Sequence, residues 1–357
     1  MYKSIFFLIL FILQSNLFAS EVNKHPEAKE TLEADRQLGE VNIYSARKEA
    51  LIKPLLDIFT EKTGIPVNLV TGDADELIQR LEAEGRNTPA DLLLTVDVAR
   101  LHRAKQNGLL QTVSSDILEQ VVPDEYRDPE GYWYGLSLRS RVIVYAPDRV
   151  KPEELSSYGS YEGLAEPVWK GRLCVRSSSN PYNQSLVAAM MENDGKENTE
   201  KWARGLVSNF ARSPKGGDRD QITAVAAGQC DVALVNTYYL AGMLHSSQEE
   251  ERALAKKVRL FWPNQSGRGA HVNVSGAGVI KTAAHVTEAV KLLEFMVSAE
   301  AQAWYAEQNN EYPVRQGIRV SDTLSQWGDF KADTLNLGVL GKHNAEAINL
   351  MDRVGWK

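Results

Sequence analysis

Three tyrosines carry the chemistry open to this chain. Tyr182 follows the run GRLCVRSSSNP, and the pair Tyr238–Tyr239 follows CDVALVNT. The only two cysteines lie eight residues upstream, Cys174 before Tyr182 and Cys230 before Tyr238. If they pair, the disulfide ties two neighbouring strands side by side, and the equal offsets bring three phenols to one end of a sheet. A free tyrosine ionises at about pH 10, so holding one as phenolate at pH 7 costs about 4 kcal/mol and three cost about 12 kcal/mol. Only a strongly charged cation offsets that cost. Phenolate oxygen is a hard donor that suits Fe³⁺ better than Zn²⁺ or Cu⁺, which prefer nitrogen and sulfur. Three phenolates also balance the ferric charge. The six histidines are scattered without ligand spacing, which argues against zinc. A Tyr-Tyr pair alone reads as an aromatic wedge at a domain edge; Tyr182 and the matched cysteine offsets favour a metal cage.

Arginines supply the complementary charge. YSAR places Arg47 at the end of the first strand, and GLSLRSRVIVY carries Arg139 and Arg141 on one face at spacing two. One guanidinium aimed at the phenols can hold a carbonate or bicarbonate bidentately. Arg139 is the preferred candidate, with Arg47 and Arg141 beside it; pairing with surface carboxylates is the competing reading for the last two. The loop SPKGGDRDQ is a weak phosphate-loop signal, and Asp218 or Asp220 is better read as the N-cap of DQITAVAAG.

The elements that position these groups are legible as patterns. VNIYSA, PVNLVTG and ADLLLTVD read as strands, separated by the amphipathic runs EALIKPLLDIFTEKTG and DADELIQRLEAEG. Gly64 closes the first helix and Asp73 opens the second. The alternation predicts an α/β architecture with largely parallel sheets. Ligands of such sheets sit at the carboxyl ends of the strands, where all three tyrosines fall. Asn180 reads as an N-cap with Pro181 first in its helix, and Thr237 as the cap of YYLAGML. Helix N-termini attract anions, which favours phenolate over phenol and offers a place for a small anion.

The leader MYKSIFFLILFILQSNLFA, residues 1–19, has Lys3, an apolar stretch from Ile5 to Leu13 and a small residue at Ala19. It reads as a secretory signal peptide cleaved after Ala19. The apolar stretch is too short to span a bilayer, and no later segment is long and apolar enough. The expectation is an exported mature chain with no membrane insertion. Export permits the disulfide; two buried free thiols are the plain alternative. Residues 20–39 read as a polar, flexible lead-in. Hydrophobic content of 43% and charged content of 24% are enough for a sizeable core. The net charge of −7, one unit more negative without Lys3, argues against nucleic acid or an anionic membrane as partner. The length of 357 residues suggests two domains. No nucleophile elbow, zinc motif or Ser/His/Asp set is present, so the expectation is a binding protein and not an enzyme.

The motifs VNIYSARKE, TPADLLLTVD, GLSLRSRVIVY, CVRSSSNPYNQSL, GGDRDQ, NTYY, VSGAGVI and EYPVR occur in that order. Together they make the chain resemble the periplasmic ferric-ion-binding proteins, the bacterial-transferrin-like substrate-binding proteins of iron(III) ABC transporters, from about Val41 to the C-terminus. The resemblance implies a two-lobe periplasmic binding protein fold of the class II type: two mixed sheets flanked by helices, with a ligand cleft between lobes. It implies Fe³⁺ held by Tyr182, Tyr238 and Tyr239, with Arg139 near the anion or the phenolates. It further implies delivery of the metal to an inner-membrane ABC permease and its ATPase, by a periplasmic protein expected to be a monomer. Some branches place a histidine, or a histidine and a tyrosine, where this chain has Lys48 and Glu49, and some place a glutamate at the position of Val96. The first lobe is thus expected to contribute little to the metal, with Glu49 still a candidate ligand and Lys48 a candidate anion partner. Taking GLSLRSRVIVY and GAHVNVSGAGVIK as crossing strands assigns residues 40–138 and 272–316 to one lobe. Residues 139–271 and 317–357 form the other, which carries the tyrosines and both cysteines. The competing reading is a protein of the same fold for a small organic or phosphorylated solute.

Overall fold

The computed structural model describes residues 39–357. The segment read as a signal peptide, residues 1–19, and the lead-in as far as residue 38 lie outside the described residues. No described helix is long and apolar enough to cross a membrane.

β1 (Val41–Ser45) pairs in parallel with both β2 (Val67–Thr71) and β3 (Leu92–Thr95). The helices between them start and stop where the sequence signals do. Gly64 ends the helix Lys53–Thr63 in the left-handed region at φ 74°, a conformation glycine adopts without a Cβ penalty. The Asp73 carboxylate accepts the Asp75 N–H at 2.8 Å and opens the helix Ala74–Glu84.

The strand β4 (Tyr134–Tyr145) organises the rest. Its first part, Tyr134–Ser140, pairs antiparallel with β8 (Val272–Val279), and its second part, Arg141–Tyr145, pairs antiparallel with β6 (Val232–Asn236). One strand therefore runs from one group of strands into another, giving, with Leu173–Cys174 as β5, the order β2-β1-β3-β8-β4-β6-β5. β5 (Leu173–Cys174) lies parallel to β6, while β7 (Arg259–Phe261) and β9 (Tyr312–Pro313) pair on β4. The largely parallel arrangement read from the alternation holds for β1–β3 and for β5–β6 only. Strands that return between the two groups must run antiparallel to their neighbours, so both groups are mixed.

Eleven of the twelve residues of β4 are buried, and four of those are polar: Ser137, Arg139, Ser140 and Arg141. Burying two guanidiniums in a central strand is unfavourable unless each finds partners. Around that polar seam the core is dense, with Trp133, Trp169 and Trp356 fully buried. A separate apolar cluster of Val142, Val144, Ile222, Val235, Leu240 and Met243 encloses the Cys174–Cys230 disulfide. The bond closes a 56-residue separation with Cα atoms 5.9 Å apart. On the chain-entropy account a loop of that size stabilises the fold by about 4 kcal/mol.

Candidate metal centre

The disulfide ties β5 to the start of β6, and both chains leave toward the same end of the sheet. The route differs from equal extended offsets. β5 ends at Cys174, which stands opposite Ala233 rather than Cys230, so the stagger is absorbed by the loop from Val175 to Asn180. Asn180 then opens the helix Pro181–Asp194, its side-chain oxygen accepting the Tyr182 N–H at 3.2 Å, with Pro181 in the first turn. β6 passes directly into the helix Thr237–Leu244, whose N-cap is Asn236 and not Thr237. Asn236 gives its side chain to Arg141, and the Thr237 hydroxyl has no partner.

The three phenols meet. The Tyr238 hydroxyl donates to the Tyr182 oxygen at 3.1 Å, and the Tyr238 and Tyr239 rings lie 4.4 Å apart at a 35° tilt. Burial, and the nearby Tyr239, push the Tyr182 phenol above its ordinary range, against the opposing pull of Arg139. Burial, then Tyr182 and Tyr239, push Tyr238 up as well. In this environment desolvation outweighs the helix N-termini, which had been expected to favour phenolate. A cation must supply the energy for ionisation.

The arginines divide by partner. Arg139 is buried, with its guanidinium carbon 5.9 Å from the Tyr182 ring centre. Its Nη1 donates to Ser275 Oγ at 3.0 Å, while Nε and Nη2 have no partner. No carboxylate among the described residues pairs with it within 4.0 Å. Arg141, two residues on, has both terminal nitrogens engaged: Nη1 donates to Asp218 and Asn236 at 3.1 Å each and Nη2 to Asn183 at 2.7 Å, and Nε alone has no partner. Arg47 forms a buried ion pair with Glu311 at 2.7 Å and donates to the same Ser275 hydroxyl at 2.9 Å. For Arg47 and Arg141 the carboxylate-paired reading holds, although the carboxylates are buried ones. Lys48 and Glu49 are exposed and make no ion pair among the described residues.

Two further groups join the centre. Arg176 sits 5.7 Å from the Tyr182 ring and 3.6 Å from Asp218 Oδ2. Asp218 is fully buried between Arg141 and Arg176, one residue past the N-cap Gly217. The capping contact comes from Asp220, whose carboxylate accepts the Gly217 N–H at 2.6 Å. A small cavity is lined by Arg139, Arg141, Tyr182, Asn236, His271 and Asn273. Burial, with Arg141, Arg268 and Arg139 nearby, lowers the His271 pKa to about 3, so this imidazole is neutral. The only sequence signal for Arg176 is its place between Cys174 and Tyr182, and Asp218 was masked by its resemblance to a cap. Among the described residues no cluster of three His, Cys, Asp or Glu side chains has metal-binding geometry. Oxygen donors from phenols, ringed by guanidiniums, suit a hard trivalent cation accompanied by an anion.

Comparison with known proteins agrees with this chemistry. The bacterial extracellular solute-binding protein family matches residues 87–332. Iron uptake protein A1 of Synechocystis sp. is 52% identical over 318 residues, covering 89% of this chain and 88% of that protein. The Trichodesmium IdiA (FutA) structure, solved in complex with iron and citrate ligands, superimposes with a TM-score of 0.86 at 50% identity and covers 89% of this chain and 100% of that one. The ferric binding protein from Campylobacter jejuni gives a TM-score of 0.84 at 37% identity, covering 89% and 100%. The chain belongs to the bacterial extracellular solute-binding proteins and has their two-lobe fold.

Proposed function

We propose that this protein captures Fe³⁺ in the periplasm through Tyr182, Tyr238 and Tyr239 and delivers it to an inner-membrane ABC permease with its ATPase. The observation that carries the reading is the meeting of three phenols beside Arg139, a buried guanidinium with two unused donors. The names of its relatives support it: iron uptake protein A1 and the Fe(3+)-binding periplasmic protein of Serratia marcescens. Arg139 holds a synergistic anion, carbonate or a larger carboxylate. That the Trichodesmium relative was solved in complex with iron and citrate ligands supports an anion of this class. The tyrosines belong to the lobe built from residues 139–271 and 317–357. The opposite lobe, 40–138 and 272–316, closes over the metal without a nitrogen ligand, and anions or waters complete the coordination. Glu49, a candidate ligand, and Lys48, a candidate anion partner, are both exposed on that lobe.

Visible absorption with and without ferric citrate tests the reading. Tyrosinate-to-iron charge transfer gives a red or orange protein, and Tyr182→Phe and Tyr239→Phe each weaken or shift the band. A colourless protein that leaves ferric citrate unbound returns the tyrosines to aromatic packing and favours an organic or phosphorylated solute.

A further inference from the structure

Beside the phenols, the N-terminal ends of two helices from distant parts of the chain are clasped together. Asp97, buried, caps the helix Val98–Gln106: its Oδ1 accepts the Ala99 N–H at 2.9 Å. Its Oδ2 accepts the Ser185 hydroxyl at 2.7 Å and the Asn273 side-chain amide at 2.8 Å. The Asn273 oxygen in turn accepts the Val98 N–H at 3.2 Å. Asn273 stands opposite Arg139 in the β4–β8 register and lines the same cavity as Tyr182. One turn further along its helix, Arg100 donates to Gln184 at 3.2 Å and is braced by Asp75 at 3.1 Å. Ser185 lies three residues after Tyr182 in the helix Pro181–Asp194, on the same face.

We infer that Asp97 is a positioning residue for the metal centre, acting through Ser185: it locks the turn that carries Tyr182 onto β8 and onto the segment following β3. The inference rests on the ferric reading of the tyrosine cluster. Hydrogen bonds to an ionised acceptor are about twice as strong as neutral ones. A buried carboxylate that loses Ser185 must also regain solvent, so separating the two helix turns is costly. Iron release needs that separation, because Tyr182 moves with Ser185. The clasp therefore sets the rate of release, while the phenols set the chemistry of binding.

The test uses the full mature chain and the variants Ser185→Ala, Asp97→Asn and the double variant. In iron-loaded protein, transfer of iron to excess chelator is expected to be about tenfold faster in either single variant. The charge-transfer band stays in place in both; the melting temperature nearly holds in Ser185→Ala and falls in Asp97→Asn, which also disturbs the helix cap. The double variant releases no faster than Asp97→Asn alone, because both single variants remove the Ser185 bond and Asp97→Asn already disturbs the other Asp97 contacts. In iron-free protein, amide exchange at residues 98–99 and 183–187 is expected to rise about tenfold in the single variants, matching the faster release. Release within twofold of the parent, or additive effects in the double variant, would overturn the clasp. So would unchanged exchange, whether or not iron binds. A parent protein that binds no iron but shows the exchange effect would refute the ferric reading and leave the clasp standing.

Discussion

Iron retention should fall steeply as pH falls, and the steepness counts phenols. In the iron-free centre burial holds Tyr182 and Tyr238 above their ordinary range, so both are protonated at neutral pH. Binding Fe³⁺ as phenolates must release at least those two protons, because metal ligands bind deprotonated. Each proton released shifts the binding free energy by about 1.4 kcal/mol per pH unit, so two amount to about 2.7 kcal/mol, roughly a hundredfold in apparent affinity. The sign is fixed: affinity rises with pH up to the phenol pKa and drops below it, which makes acidification a release signal. Competition against a chelator of known protonation, at several pH values between 6 and 8, measures the slope. Proton release on loading, followed in weakly buffered solution, counts the same protons directly. Tyr182→Phe should lower the slope by about one. A slope below one in the parent protein, or one unchanged in Tyr182→Phe, would refute phenolate coordination by the buried pair.

Two substitutions separate function from stability. Arg139→Gln removes a buried charge with two unsatisfied donors, so thermal stability is expected to hold or rise while iron retention in carbonate or citrate buffer falls at least tenfold. A parallel loss of both would place Arg139 in the framework instead. Asp218→Asn leaves Arg141 buried without its counter-charge and should cost about 3–5 kcal/mol, read as a lowered denaturant midpoint; a change under about 1 kcal/mol would mean that Asn183 and Asn236 suffice.

The tyrosine cluster was legible in the sequence because strand ends and helix starts are local signals. Asn180-Pro181 announces a helix whatever the rest of the chain does, and NTYY follows an unmistakable buried strand. The equal cysteine offsets pointed the right way for an incomplete reason: β5 stops at Cys174, and a loop rather than strand register brings Tyr182 to Tyr238. Spacing two put Arg139 and Arg141 on one face but could not separate them. The partner of β4 changes between Ser140 and Arg141, which leaves Arg139 against β8 and Ser275 and Arg141 against β6 and Asp218. The Arg47–Glu311 pair and the Asp97–Ser185 bond join residues far apart in the chain, and no local pattern encodes them. Charged side chains announce their chemistry in a sequence; their direction is decided by strands that pair from a distance.

On the proposed reading, the distribution of charge favours an anion in the centre. Arg47 is neutralised by Glu311. Arg139 and Arg176 lie over the Tyr182 ring and Arg141 lines the same cavity, with Asp218 as the one carboxylate paired to these three among the described residues, so the guanidiniums exceed it by two positive charges. A ferric ion with three phenolates is neutral and leaves that surplus in place. A loaded centre without an anion would therefore hold two uncompensated charges in a poorly solvated site, which is strongly unfavourable. A dianion removes the surplus, and Arg139 has two buried donors free to receive it, against one each on Arg141 and Arg176. On the proposed reading, an anion bound before the metal would also lower the repulsion that an incoming trivalent cation meets from the guanidiniums. On the proposed reading the anion acts on metal affinity through this field as well as through coordination, and water in the same position could supply only the latter.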